Sequence, residues 1–232
     1  YCDEGLFTAD KRITSEVVNI FSFFESNYKR FTFKHIILSS YSTRVHFIKL
    51  INREIKNANA GKNAYILLKM NSLVDAEMIT KLYEASNAGV EIKLIIRGIC
   101  SLIPGVPGMS ENIKAISIVD KYLEHSRIFV FCNGGNELFY ISSADWMGRN
   151  LDSRIEVTTP VFHDDVKKEL KQMFLIQLND NVKARILNEK QDNQYNRGGT
   201  KKKIRAQDAY YKYLKRKKRY LEKKLLSDSR NR

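Results

Sequence analysis

Residues 123–146 read LEHSRIFVFCNGGNELFYISSADW and gather five side chains with usable chemistry: His125, Arg127, Ser142, Ser143 and Asp145. In an extended segment alternate residues share a face, so His125 and Arg127 project together while Ile128, Val130 and Cys132 take the other side. Asn133-Gly134-Gly135-Asn136 reads as a hairpin turn, because Gly and Asn accept the positive φ that tight turns need. The strand 138–142 then returns beside the first and carries two hydroxyls and a carboxylate towards it. A positioned imidazole can attack phosphorus or shuttle a proton, and the planar arginine fork grips phosphoryl oxygens. A His-x-Arg pair alone is ordinary on a surface or in a core. It is the return of Ser-Ser-x-Asp that gives it weight.

These residues need a scaffold, and the apolar periodicity supplies one. The run TSEVVNIFSFFES predicts a helix with Val17, Phe21 and Phe24 on one face and Thr14 or Ser15 as N-cap, followed by a break at 27–30. HIILSS (35–40) reads as a short buried strand. Ser42 then caps a helix through residue 60, closed by Gly61. A strand, AYILLKM, leads to a helix over 75–88 that Gly89 ends, and the strand VEIKLIIR finishes at Arg97-Gly98. This β-α-β-α-β order predicts parallel strands with right-handed crossovers and ligands at their carboxyl ends, where Lys69, Asn71 and Arg97 stand. Between 98 and 112, Pro104-Gly105 and Pro107-Gly108 mark an irregular loop beside that edge. Short strands follow at 115–119, 126–131, 138–142 and 154–160. A helix over 164–178, a polar connector at 189–203 and a basic helix over about 204–226 complete the reading.

A chain of 232 residues with 43% apolar content can bury a substantial core. No apolar run approaches the roughly 20 residues that span a bilayer. Cys2, Cys100 and Cys132 are odd in number and lack a Cys-x-x-Cys pair, which argues against a disulfide framework and against zinc. A cytoplasmic protein is expected, associated at most with a membrane surface. The histidines, His35, His46, His125 and His163, form no i,i+4 pair, so no protein-borne metal site is expected. Charge is concentrated at one end: residues 197–232 hold 15 Lys or Arg against Asp208, Glu222 and Asp228, a local net of +12 out of +14. That segment could hold a polyanion, face an acidic surface, or be a solvated helix. The opening Tyr-Cys-Asp, with no initiator Met and no signal sequence, suggests a chain cut from a longer one.

The order His-x-Arg, hairpin, Ser-Ser-x-Asp resembles a degenerate phospholipase D motif, with Arg127 where that motif has lysine and Cys132-Asn133 where it wants an aspartate. A longer resemblance is to the polyphosphate kinase family. GLFTAD (5–10), KMNSLVD (69–75), LYEASNAGV (82–90), IIRGICSLIPG (95–105), SENIKAISIVDKYLEHSRIFVF (110–131), SSADWMGRNLDSRIEV (142–157) and KIRAQDAYY (203–211) are all similar to segments of its carboxyl-terminal part. The resemblance implies an α/β fold: a phospholipase D-like mixed β-sheet flanked by helices, with a basic C-terminal helix. It divides the chain into the tail of a preceding phospholipase D-like domain (1–35), a second catalytic domain (36–196) and a basic helix or tail (197–232).

The resemblance further implies reversible transfer of the terminal phosphate of ATP to polyphosphate through a phosphohistidine upstream of Tyr1, so that this chain alone is inactive. His125 becomes a catalytic residue, and Tyr1, Arg97, His125 and Arg154 match positions that hold ATP or its phosphates. Magnesium would travel with ATP, bound by oxygens and water rather than by a cage in this chain. A homo-oligomer is implied for the full-length enzyme, and neither a specific nucleic acid nor a transmembrane segment. Read without the resemblance, Tyr1 is a chain end. Arg97 is then a strand-end arginine whose Gly98 lets a ligand come close, Arg154 an ion-pair partner beside Asp152, and Trp146 and Met147 are core. Two other functions stay open on the residues alone: a phosphodiesterase half, and a polyanion-binding module using residues 197–232.

Overall fold

Near-continuous apolar runs such as Ile66-Leu67-Leu68 and Leu94-Ile95-Ile96 suit strands covered on both faces. The computed structural model, which describes residues 4–26, 28–39, 41–198 and 202–230, puts both runs at the middle of one sheet. The elements are α1 (Lys11–Glu25), β1 (Ile37–Leu38), α2 (Thr43–Asn59), β2 (Tyr65–Met70), α3 (Ala76–Asn87), β3 (Glu91–Ile96), β4 (Ile113–Ser117), β5 (Arg127–Phe131), β6 (Leu138–Ser142), β7 (Val157–Val161), α4 (Asp164–Leu178), β8 (Arg185–Leu187) and α5 (Ala206–Arg230). The strand order is β1-β7-β6-β5-β2-β3-β4-β8. β2, β3 and β4 run parallel, while β5, β6, β7 and β8 pair antiparallel with their neighbours. The mixed sheet flanked by helices is therefore the architecture expected from the sequence.

Period-two alternation divides the core between the two faces. Ile66, Leu68, Phe129 and Phe131 pack with Phe47 of α2 and Leu82 of α3 on one side. Leu67, Ile128 and Val130 pack with Met173 and Phe174 of α4 and Ala206 of α5 on the other. Trp146 is fully buried, its ring 5.3 Å from that of Phe47 and 5.7 Å from that of Phe129, so it is core, as its composition suggests. Among the described residues no helix is long and apolar enough to cross a membrane.

Three expectations need correction. β1 does not join β2 in a parallel pair: it sits at the far edge, antiparallel to β7, because the hairpin strands β5, β6 and β7 occupy the sheet between them. The buried face of α1 is Ile13, Glu16 and Ile20, whereas Phe21 and Phe24 are 63% and 56% exposed. Hydropathy misses this face because a glutamate lies on it: the Glu16 carboxylate accepts the backbone N–H groups of Lys34 (2.7 Å), His35 and Ile36 (2.7 Å), tying α1 to the segment that becomes β1. The cap of α1 is Asp10, which accepts from the Arg12 N–H at 2.9 Å, rather than Thr14 or Ser15. Elsewhere β4 and β7 are displaced by two or three residues from the predicted runs, and β8 falls in a stretch with no strand signal.

Candidate functional site

The carboxyl ends of β2, β3 and β6 and the amino ends of β5 and β7 lie along one edge of the sheet, as the strand directions require. The sequence places Asn71, Arg97, His125, Arg127 and Asp145 at these ends, and hydrogen bonds join all five into a line. Arg97 donates from Nε (3.0 Å) and Nη2 (2.7 Å) to Asn71 Oδ1. The Asn71 backbone N–H donates to Asp145 Oδ1 at 2.8 Å. Arg127 donates to both Asp145 oxygens, at 3.2 and 3.3 Å. Its Nη1 donates to the His125 carbonyl at 2.7 Å and lies 3.2 Å from the ring Nδ1. The same Nη1 lies 3.4 Å from the ring Nε2, so the guanidinium faces both ring nitrogens.

Gly98 has a different role from the one its position suggested. A Cβ there would lie 2.9 Å from the Asn71 carbonyl oxygen, and the Gly98 N–H donates to that same oxygen at 2.6 Å. The missing side chain makes room for the end of β2, not for a ligand, and so lets Arg97 reach Asn71. The loop 98–112 is held as well: the Leu73 N–H donates to the Ile99 carbonyl at 2.9 Å, and Ser110 Oγ donates to the Ile103 carbonyl at 2.6 Å.

Both serines are already committed. Ser142 Oγ shares a 2.6 Å hydrogen bond with Thr158 Oγ1 and accepts the Ala144 N–H, while Ser143 Oγ donates to Glu156 Oε2. The imidazole, guanidinium and carboxylate therefore converge as expected, and the hydroxyls serve to fasten β6 to β7. Arg154 stands three residues before β7 on the same edge and is exposed, outside the line. Asp152 does not pair with it. That carboxylate accepts instead from Arg44 Nε (3.1 Å) and Nη2 (2.6 Å), and Arg44 also holds Asp75 at 2.5 and 2.8 Å. Burial pushes the Asp75 carboxyl up, the Arg44 hydrogen bonds pull it down, and the net effect is a value below the ordinary one. Tyr1 lies outside the described residues.

A second network on the opposite face went unseen in the sequence. Glu124 and Ser126 alternate with His125 and Arg127, so they face α4 and α5. The buried Lys69 ammonium donates to Glu124 Oε2 at 3.1 Å and to Ser126 Oγ. Gln177 of α4 and Gln207 of α5 complete the Glu124 carboxylate, at 3.3 and 3.0 Å. Gln207 also accepts from the Tyr122 N–H (3.1 Å) and donates to its carbonyl (2.9 Å), and Arg205 clasps Asp120 with two bonds of 2.7 and 2.8 Å. The segment delivering His125 is thus gripped by the first turn of α5. Polar residues at both parities of one strand extension are the signal that could have revealed it.

Residues 36–207 match the family described as polyphosphate kinase C-terminal domain 2. The chain belongs to the polyphosphate kinase family. The polyphosphate kinase of Vibrio parahaemolyticus serotype O3:K6 is 48% identical over 215 residues, covering 93% of this chain and 31% of that protein. That of Escherichia coli strain K12 is 46% identical over the same coverage. The crystal structure of polyphosphate kinase from Porphyromonas gingivalis superposes with a TM-score of 0.88 at 45% identity, over 92% of this chain and 33% of that one. The chain therefore spans about a third of the length of the polyphosphate kinases it matches.

Proposed function

We propose that this chain is the carboxyl-terminal portion of a polyphosphate kinase and forms the phosphate-holding side of its active site. The observation that carries the reading is the hydrogen-bonded line from Arg97 through Asn71, Asp145 and Arg127 to His125. Such a line fixes a cation and an imidazole on one edge before substrate arrives, which is the preorganisation that phosphoryl transfer needs. Arg97 spends Nε and Nη2 on Asn71, while its Nη1 has no hydrogen-bond partner among the described residues and is the donor offered to a phosphoryl oxygen. His125 brings its imidazole to the same edge. Arg154, exposed on the same edge, adds a second positive charge, and Tyr1 belongs to the nucleotide side.

In this reading a histidine in the preceding part of the polypeptide attacks the terminal phosphorus of ATP: a P–N bond forms, the bond from that phosphorus to the bridging oxygen breaks, and ADP leaves. A terminal oxygen of polyphosphate then attacks the same phosphorus, forming P–O and releasing the histidine nitrogen. Both steps run backwards as well. Arg97 neutralises charge on the transferring group, and the His125 imidazole passes a proton to or from its oxygens. Magnesium belongs with the nucleotide. The carboxylates Asp145 and Glu124 are enclosed by Arg127, Asn71, Lys69 and the two glutamines, so they do not fit a metal. A reducing, cytoplasmic setting agrees with Cys100 and Cys132, both free thiols whose ordinary acidity is weakened by burial.

Calorimetric titration of the chain with MgATP tests the site directly. Charge-assisted hydrogen bonds are worth about 1.5–3 kcal/mol each, so Arg97→Ala should weaken binding by roughly ten- to a hundredfold, and His125→Ala should also weaken it. The chain alone should accumulate no acid-labile phosphate. Unchanged affinity in both variants, or phosphate on His125, would overturn the reading.

A further inference from the structure

The basic end of the chain is a helix with distinct sides. At 3.6 residues per turn, Lys212, Arg216, Arg219 and Lys223 fall within one narrow sector of α5 and climb about 16 Å along it. All four are exposed. Tyr210 and Lys217 mark the roughly opposite, packed side, where Tyr210 Oη reaches Met173 Sδ at 2.9 Å and Lys217 pairs with Glu169. Lys218 stands 3.9 Å from Glu222, and Arg205, just before the helix, holds Asp120 and Asp208, whereas Lys215 and Lys224 share with the stripe the lack of an acidic partner among the described residues. Among the described residues, none of the four stripe cations has such a partner. They follow one another at intervals of four, three and four, the spacings at which like charges on a helix repel.

We propose that this stripe is a docking surface for long inorganic polyphosphate, a proposal that rests on reading the chain as part of a polyphosphate kinase. The chemistry favours a bare linear polyanion. Single-stranded nucleic acid is held by aromatic platforms interleaved with cations; the exposed Tyr211 and Tyr220 of α5 flank the stripe on its two sides and do not stand between its cations. A membrane-lying helix flanks its apolar face with cations, whereas three of the four exposed leucines of α5, Leu214, Leu221 and Leu225, lie well round from the stripe and only Leu226 lies beside it, so burying the apolar side would turn the stripe from the headgroups. The body of the protein is close to neutral, so attraction is focused on this one element. Because Gln207 and Arg205 bind the segment leading to His125, the stripe and the site belong to one hydrogen-bonded unit.

The test compares fluorescent long-chain polyphosphate with tripolyphosphate, binding the chain at several salt concentrations. The variant K212Q/R216Q/R219Q/K223Q keeps good helix formers and removes the stripe. A control, K49Q/K62Q/K114Q/K190Q, removes four exposed charges elsewhere. The stripe variant should bind the long polymer at least about tenfold more weakly, with the slope of log K against log salt reduced by about 3, while tripolyphosphate binding at the His125 edge stays the same. Equal losses in the control, no loss in either protein, or tighter retention of a single-stranded RNA of similar charge would overturn the proposal. If the long polymer binds through the stripe while MgATP and tripolyphosphate do not bind at all, the stripe stands and the proposed kinase role falls.

Discussion

At the scale of single residues, Gly98 shows how much of the site rests on one missing methyl group. An alanine there must displace backbone, because the nearest atom it meets is the Asn71 carbonyl oxygen at 2.9 Å, with the Ser72 hydroxyl next at 3.1 Å. We expect Gly98→Ala to cost about 1–3 kcal/mol of stability, the usual range for overpacking, and to separate Arg97 from Asn71. Urea unfolding measures the first effect. The second should appear as weaker MgATP binding, approaching that of Arg97→Ala. His125, Arg127, Asp145 and Arg97 were all legible in the sequence, because strand parity and strand ends fix where such residues point. What the sequence hid was the reason for Gly98: a glycine after a strand-end arginine looks like space for a ligand, and only the register of β2 against β3 shows that the chain itself fills it.

Among the elements, α5 does more than close the sheet's second face. Its first turn bonds to Asp120, Tyr122 and Glu124, and these residues lead directly into His125. Gln207→Ala removes three hydrogen bonds from that grip. At about 1 kcal/mol for a net hydrogen bond, amide exchange across residues 121–126 should quicken by about tenfold or more, while exchange in β2 and β3 is unchanged. Equal quickening in the central strands would mean that the helix supports the whole domain and not this segment. Hairpin strands β5 and β6 and helix α4 were legible because their signals are local: Asn133-Gly134-Gly135, alternating apolar residues, and an apolar stripe from 164 to 178. The place of β1 was not. Two residues of strand carry no instruction about which of the seven other strands they will pair with, and long-range packing decides it.

For the molecule as a whole, acid lability should have an identifiable contributor in His46. Burial and the nearby Lys49 and Arg53 cations lower its proton affinity in the folded protein. As pH falls through the ordinary imidazole value, the unfolded chain takes up a proton that the folded one resists, so stability is greatest above that value and declines below it. Between about pH 7.5 and about pH 5.5, His46→Gln should therefore lose less stability than the parent protein in urea titrations. Glu54 acts in the opposite sense, since burial raises its carboxyl, but it is common to both proteins and drops out of the comparison. A steeper decline in the variant would show that the imidazole gains protonation on folding.

The two ends of the sheet differ from its middle in one respect with a bearing on assembly. β1 is two residues long and β8 three, and Arg185 of β8 lies 3.3 Å over the Tyr195 ring while bridging to that residue by backbone. Unpaired strand edges are the usual template on which chains zip together, and short or covered ones offer little to copy. Crowded against other copies of itself, a sheet finished in this way has few places where a neighbour's strand could be added in error.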